Sequence, residues 1–226
     1  MYTVEKNYTR LLNGQHTFFL TPNDANMLKS KFRKDEYKVF YPYNDSEKVI
    51  LYNHREPSVI LYEIKSKIEL RHQDILGTIF SLNNSGELFG DILIIDGHYY
   101  VYILDIFRNY FECNFFMIKD TYIELVEHDL SYLKDYKREY EKLEIIVSSN
   151  RIDTIVSNLC NIGRSNIKTM IKNKEIMLNY SYLKDSSYKL KSNDIFSVKR
   201  IGKFKYIDII KNTKSGNYII SIYKYI

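Results

Sequence analysis

The chain has no Trp and only 2 Cys, 3 Pro and 8 Gly in 226 residues. Cys113 and Cys160 are far apart, with no CxxC and no neighbouring His, so neither a disulfide framework nor a zinc knuckle is expected and a reducing compartment is. The five histidines, at 16, 54, 72, 98 and 128, give no i, i+4 pair and no HExxH. No metal and no cofactor is therefore expected. Met1 to Arg10 has no apolar h-region, and no apolar run is long enough to span a bilayer. These absences point to a soluble cytoplasmic protein with neither a membrane nor a small-molecule substrate as partner.

What is present is an uneven distribution of charge. The whole chain carries +5, but residues 145–226 hold 15 Lys and Arg against 5 Asp and Glu, a net of +10, while residues 1–144 hold 18 against 23, a net of −5. A strongly basic module joined to a mildly acidic one is the distribution expected when one face of a protein meets a polyanion, and nucleic acid is the natural partner. The 22 Tyr are read as packing side chains of a compositionally biased chain rather than as a stacking surface for bases.

The fold class expected is α+β, in three stretches. Residues 1–70 form an N-terminal segment of uncertain fold, with a helix over Asp24–Phe32 and a strand over Ser58–Leu70. Residues 71–144 form a small, plait-like α/β module. Its expected elements are a helix at Gln73–Leu82, strands at Asp91–Ile95 and Tyr99–Leu104 about a turn at Gly97, a helix at Ile106–Phe116 and a strand at Thr121–Val126. The mixed-charge run Glu127–Glu144, with Tyr132, Tyr136 and Tyr140 at spacing four, is expected to be a solvated connecting helix or the tail of the module.

Residues 145–226 carry the chemistry. Ile152, Ile155, Val156 and Leu159 follow the i, i+3, i+4, i+7 rule of an amphipathic helix with Asp153 in its first turn. Gly163 breaks the chain, Ser165 is placed to cap a second helix, and Ile167, Met170 and Ile171 form that helix's buried stripe. Arg164, Lys168 and Lys172 recur every fourth residue on the opposite side of the wheel. Further strands follow at Glu175–Asn179 and Ile195–Val198, then a basic cluster Lys199-Arg200-Ile201-Gly202-Lys203-Phe204-Lys205, then a hairpin about Lys214-Ser215-Gly216-Asn217. Two helices on a curled sheet, with a basic helix beside a basic loop, would make a concave cationic surface.

Arg151-Ile152-Asp153, Gly163-Arg164-Ser165, Ile171 to Asn179, Tyr188 to Asp194 and Gly202-Lys203-Phe204 follow, in order, the pattern of the S-four type RNA-binding domain, and residues 145–226 resemble it. Leu70-Arg71-His72-Gln73-Asp74-Ile75-Leu76-Gly77 and Gly90-Asp91-Ile92-Leu93 resemble the blocks that precede that domain in the YlmH proteins of Gram-positive bacteria. The resemblance implies an RNA-binding, ribosome-associated protein acting on the large ribosomal subunit and its bound tRNA in quality control of stalled translation. Its implied partners are large-subunit rRNA, tRNA and other ribosome-rescue factors. The stripe, the cluster and the matched blocks together nominate Arg151, Arg164, Ser165, Lys168, Lys172, Lys174, Asn179, Lys199, Arg200, Lys203 and Lys205 as RNA-binding residues.

The chain departs from the pattern in places. Gly163 replaces a Ser, Lys174-Glu175 stands where Gly and a cation are usual, and Asn173 is expected to supply the left-handed residue after the helix. Asn84-Ser85-Gly86-Glu87 lacks the Arg common before Gly-Asp-Ile, so the middle module could bind RNA poorly, or bind protein instead. No catalytic residue is assigned. Residues 1–144 contain no Gly-Arg-Leu-Asp block of a pseudouridine synthase and no nucleotide-binding block of a tRNA synthetase, and the position five past Asp74 is Ile79 rather than the Asn of a kinase loop. The alternatives are an RNA-modifying enzyme of the pseudouridine-synthase kind, anchored by the same domain, and a protein-binding adaptor.

Overall fold

The computed structural model describes residues 2–82 and 86–226, so the Asn84-Ser85 pair noted above lies outside the described residues. The chain divides into two units, Met1–Lys137 and Arg138–Ile226. Both mix helix and antiparallel sheet, and the fold is α+β.

The first unit opens with helices α1 (Tyr2–Leu12) and α2 (Pro22–Lys29). Thr21 caps α2 by accepting from the Asp24 N–H at 3.3 Å, and Pro22 occupies the first turn, where its missing N–H costs nothing. A small ribbon of β1 (Lys38–Phe40) and β2 (Ile50–Tyr52) follows. Then come β3 (Val59–Ser66), α3 (His72–Leu82), β4 (Phe89–Ile95), β5 (His98–Leu104), a 3-10 turn running into α4 (Arg108–Asn114), β6 (Met117–Ile118) and β7 (Thr121–His128). Without the short β6 this succession is β-α-β-β-α-β, and the sheet order β4-β5-β3-β7-β6, antiparallel throughout, is that of a plait with one added edge strand.

Both faces of this sheet are covered. Ile60, Tyr62, Ile64, Val101 and Ile103 pack against Ile75 and Ile79 of α3 and against Phe107, Phe111 and Phe115 at α4. On the other face Leu61, Leu93, Tyr100 and Tyr102 meet Phe18, Phe19, Tyr43 and Ile50 from the N-terminal stretch. Hence β3 is buried at six successive positions rather than at alternate ones. Gly90 permits the close approach, since a Cβ there would come within 2.9 Å of Phe19 and 3.0 Å of Tyr102. The division expected after residue 70 differs from this arrangement. Strand β3 lies between β5 and β7, and the N-terminal stretch supplies one wall of the same core.

The second unit is a six-stranded antiparallel sheet of order β10-β9-β11-β12-β13-β8 carrying two helices. Its elements are β8 (Tyr140–Val147), α5 (Ile152–Cys160), α6 (Arg164–Lys172), β9 (Ile176–Leu178), β10 (Ser181–Tyr182), β11 (Ile195–Val198), β12 (Gly202–Asn212) and β13 (Tyr218–Tyr225). The connecting helix expected over Glu127–Glu144 is instead a 3-10 turn at Leu130–Leu133 followed by β8. The physical reason is non-local: β8 pairs with β13 along its whole length, from Tyr140 opposite Tyr225 to Val147 opposite Tyr218. The division expected after residue 144 would cut through this strand. Ile152, Ile155, Val156 and Ile167 of the helices share one core with Ile176, Phe196, Phe204, Tyr206, Ile220 and Ile222 of the sheet. Register shifts between Tyr206 and Asp208 and between Ile209 and Lys211 bend β12 and curl the sheet.

Candidate nucleic-acid interface

The link between α5 and α6 is set by a Schellman turn. Asn161 adopts φ 51°, its N–H donates to the Asn158 carbonyl, and Ile162 N–H donates to the Ser157 carbonyl at 3.1 Å. The chain then starts α6 at Arg164, with Gly163 at the N-cap position. Ser165 does not cap it. The helix begins one residue earlier than the hydroxyl required, and Ser165 lies in the first turn, exposed.

Along α6 the expected division holds in part. Ile167 is fully buried, while Met170 and Ile171 are half-buried. Arg164, Lys168 and Lys172 are all exposed. The helix ends in a second Schellman turn, in which Lys174 N–H donates to Ile171 O at 3.0 Å and Glu175 N–H to Met170 O at 2.9 Å. The left-handed residue is Lys174, with φ 57°, and not Asn173, which stays at φ −77° because it still closes the helix through its bond to Thr169 O.

This turn meets the β11–β12 turn. Lys199 N–H donates to the Glu175 carbonyl at 2.9 Å, and the neighbouring Arg200 also takes a left-handed φ, 67°. A non-glycine residue in that region costs roughly 1–2 kcal/mol. Lys172, Lys174, Lys199 and Arg200, all exposed, thus belong to one end of the second unit, where α6 and the hairpin turn are joined by that backbone bond.

Other nominated residues are not brought there. Lys203 and Lys205 alternate along β12 with buried Phe204 and Tyr206, which point to the helices, so both lysines lie on the opposite face of the sheet. Lys203 Nζ donates to Tyr180 Oη at 3.1 Å and sits 4.8 Å and 4.6 Å above the Tyr180 and Tyr225 rings. Asn179 uses its amide inside the fold, donating to Asp194 at 2.8 Å and accepting from Ile195 N–H at 2.9 Å. Arg151 is a two-toothed partner of the buried Asp153, through Nε at 3.1 Å and Nη2 at 2.7 Å. Burial works against the Asp153 charge, but the Arg151 guanidinium and the Thr154 N–H outweigh it and hold the carboxyl below its ordinary range. Arg164 reaches back over α5, its Nη2 donating to Thr154 Oγ1 at 3.3 Å.

The opposite sheet face also carries residues that sequence reasoning passed over. Tyr223 and Tyr225, two apart on β13, flank Tyr140 of β8 with ring centroids 5.5 Å and 5.1 Å away, and Lys142 lies 5.8 Å from the Tyr223 ring. The signal was the Tyr-x-Tyr repeat in a strand of period two. Elsewhere the packing reading of the tyrosines is right, since Tyr43, Tyr62 and Tyr102 are fully buried.

Residues 55–132 match the family model described as the putative RNA-binding domain in YlmH. Over 154 residues the chain is 21% identical to the ribosome-associated protein quality control protein P2 of Bacillus subtilis (strain 168), an alignment covering 68% of this chain. The chain belongs to the YlmH family. It spans 60% of the length of that Bacillus relative. Among solved structures, the cell division protein ylmH from Streptococcus pneumoniae is 23% identical, with a TM-score of 0.46 over 58% of this chain and 90% of its own. The YlmH model covers both middle blocks noted in the sequence and ends before the second unit begins. The part described there as RNA-binding is therefore the plait, where no RNA-binding residue had been nominated.

Proposed function

We propose that this protein is a non-enzymatic RNA-binding factor that works in the cytoplasm on the large ribosomal subunit and its bound tRNA, in quality control of stalled translation. The second unit is read as an S-four type RNA-binding domain and as the principal RNA-gripping part. One observation carries this reading. The exposed stripe Arg164, Lys168, Lys172 runs along α6 toward the end where Lys174, Lys199 and Arg200 gather, two of those residues held in left-handed backbone. Strain of that kind persists where surrounding structure imposes it and is common at ligand-binding positions. Six cations in solvent, on elements packed through Ile167 and Ile176 into one core, suit the phosphates of a structured RNA. The name of the Bacillus relative supports the ribosomal setting. Lys203, Lys205 and the tyrosines beside them form a second, separate cationic face, and Arg151 and Asn179 are assigned to holding the unit in shape.

Crosslinking to RNA in cells, followed by sequencing of the bound fragments, tests the proposal. Reads concentrated on one large-subunit rRNA helix together with tRNA are expected, and reads scattered over mRNA would overturn the ribosomal assignment.

A further inference from the structure

The plait is acidic. Residues 55–132 contain 6 Lys and Arg against 13 Asp and Glu, a net of −7. Where plait sheets bind RNA they do so by stacking bases on aromatic side chains of the open sheet face. Here that face is closed, because Leu61, Leu93, Tyr100 and Tyr102 lie under Phe18, Phe19, Tyr43 and Ile50. Phosphate attraction and base stacking on the sheet are both removed from this module.

What the module does expose is apolar. Ile106 is 78% exposed and Tyr110, one turn further on at the start of α4, is 50% exposed. Beyond α4, at the edge hairpin, Phe116 is 47% and Tyr122 is 75% exposed, their rings stacked with centroids 6.3 Å apart, and Met117 lies opposite Tyr122. A seven-residue helix is ~10 Å long, so both groups fall within the reach of one bound helix of three to four turns. These side chains are not needed for the core, which is filled beneath them by Phe107, Phe111, Phe115 and Ile118.

The charge around them is one-sided. Arg108 is occupied by Asp105, Glu112 and Glu127, and Lys119 by Asp74, so both cations of the region are neutralised within the fold. Asp120 and Glu124 remain exposed beside Tyr122. An aromatic patch rimmed by carboxylates complements a segment that is apolar on one side and cationic on the other.

We infer that the α4 and β6–β7 corner of the plait is a docking surface for a Lys- and Arg-rich amphipathic segment of a partner protein, rather than for RNA. This rests on the ribosomal reading only in that such a surface would let the protein hold a basic protein with one unit while the other grips RNA.

The test uses the full chain and three fluorescent probes in anisotropy titrations: an 18-residue helical peptide of Leu and Lys, the same peptide with Glu for Lys, and a structured RNA hairpin. The Lys peptide is expected to bind at least tenfold more tightly than the Glu peptide. Phe116→Ser with Tyr122→Ser should weaken it at least tenfold. Asp120→Asn with Glu124→Gln, which leaves every apolar side chain in place, should weaken it at least threefold, and both pairs should leave hairpin binding unchanged. Equal binding of the two peptides, or Lys-peptide binding indifferent to both pairs, would overturn the inference, as would hairpin binding lost in the Asp120 and Glu124 pair. Arg164→Ala with Lys168→Ala should abolish hairpin binding and spare the peptide. Retention of hairpin binding in that variant counts against the RNA-binding stripe alone.

Discussion

Arg151 grips the buried carboxylate of Asp153 with two nitrogens, across a single intervening residue, just where α5 begins. The pair ties the entry strand to the helix, and the Thr154 N–H, donating to Asp153 at 2.8 Å, completes the cage around the charge.

Because the folded state holds the Asp153 carboxyl below its ordinary value, the stabilisation is fully present above about pH 4, the usual range of an unfolded carboxyl. It is lost as pH falls through the lower folded value. Asp153→Asn should cost about 1–3 kcal/mol at neutral pH. Denaturant midpoints at pH 7 and pH 3 check this, and the gap between parent and variant should narrow at the lower pH.

Binding and folding should separate along α6. Arg164→Ala with Lys168→Ala is expected to weaken RNA binding by about 1–3 kcal/mol with an unchanged melting temperature, since both side chains are solvated. Ile167→Ala should instead cost about 2–4 kcal/mol of stability through the cavity it leaves. Ile171→Ala, at a half-buried position, should cost less than Ile167→Ala. RNA titrations and thermal melts on the same preparations distinguish these outcomes.

Residues 138–226 are expected to fold alone and to bind an RNA hairpin, with log affinity falling against log salt at a slope of about −3 to −5, as for about four to six neutralised phosphates. A fragment starting at residue 145 should be markedly less stable, because it discards the half of β8 that pairs with the C-terminal half of β13. Circular dichroism melts of the two fragments provide the comparison.

Gly90→Ala should destabilise the first unit by about 1–3 kcal/mol, because the new methyl meets Phe19 on one side and Tyr102 on the other and well-packed cores resist added volume. Its effect should be confined to residues 2–137, and hydrogen exchange resolved by segment would show this.

How much of this was legible beforehand depended on how local the cause was. The elements of the plait were readable because each had its own periodicity, as in Asp91–Ile95 and Tyr99–Leu104 about the left-handed Asp96-Gly97 turn. The α6 stripe was readable for the same reason. Strand β8 was hidden by the spacing of Tyr132, Tyr136 and Tyr140, which imitates a helix, while the pairing that makes it a strand comes from β13, some eighty residues away. The basic cluster looked like one loop. It is a turn plus the start of β12, so Lys199 and Arg200 stay at the turn while Lys203 and Lys205 project from the far side of the sheet. The union of the first seventy residues with the plait was invisible for a further reason, since burial of both faces of β3 erases the alternation by which a strand announces its neighbours.

That union limits how the plait can be isolated. A fragment trimmed to residues 55–132 would retain every strand of the sheet yet leave behind Phe18, Phe19, Tyr43 and Ile50. Leu61, Leu93, Tyr100 and Tyr102 would then face water as one broad greasy plane, which invites self-association. The smallest piece of this half of the chain that can live alone in solution is therefore set by the lid over the sheet and not by the limits of the family match.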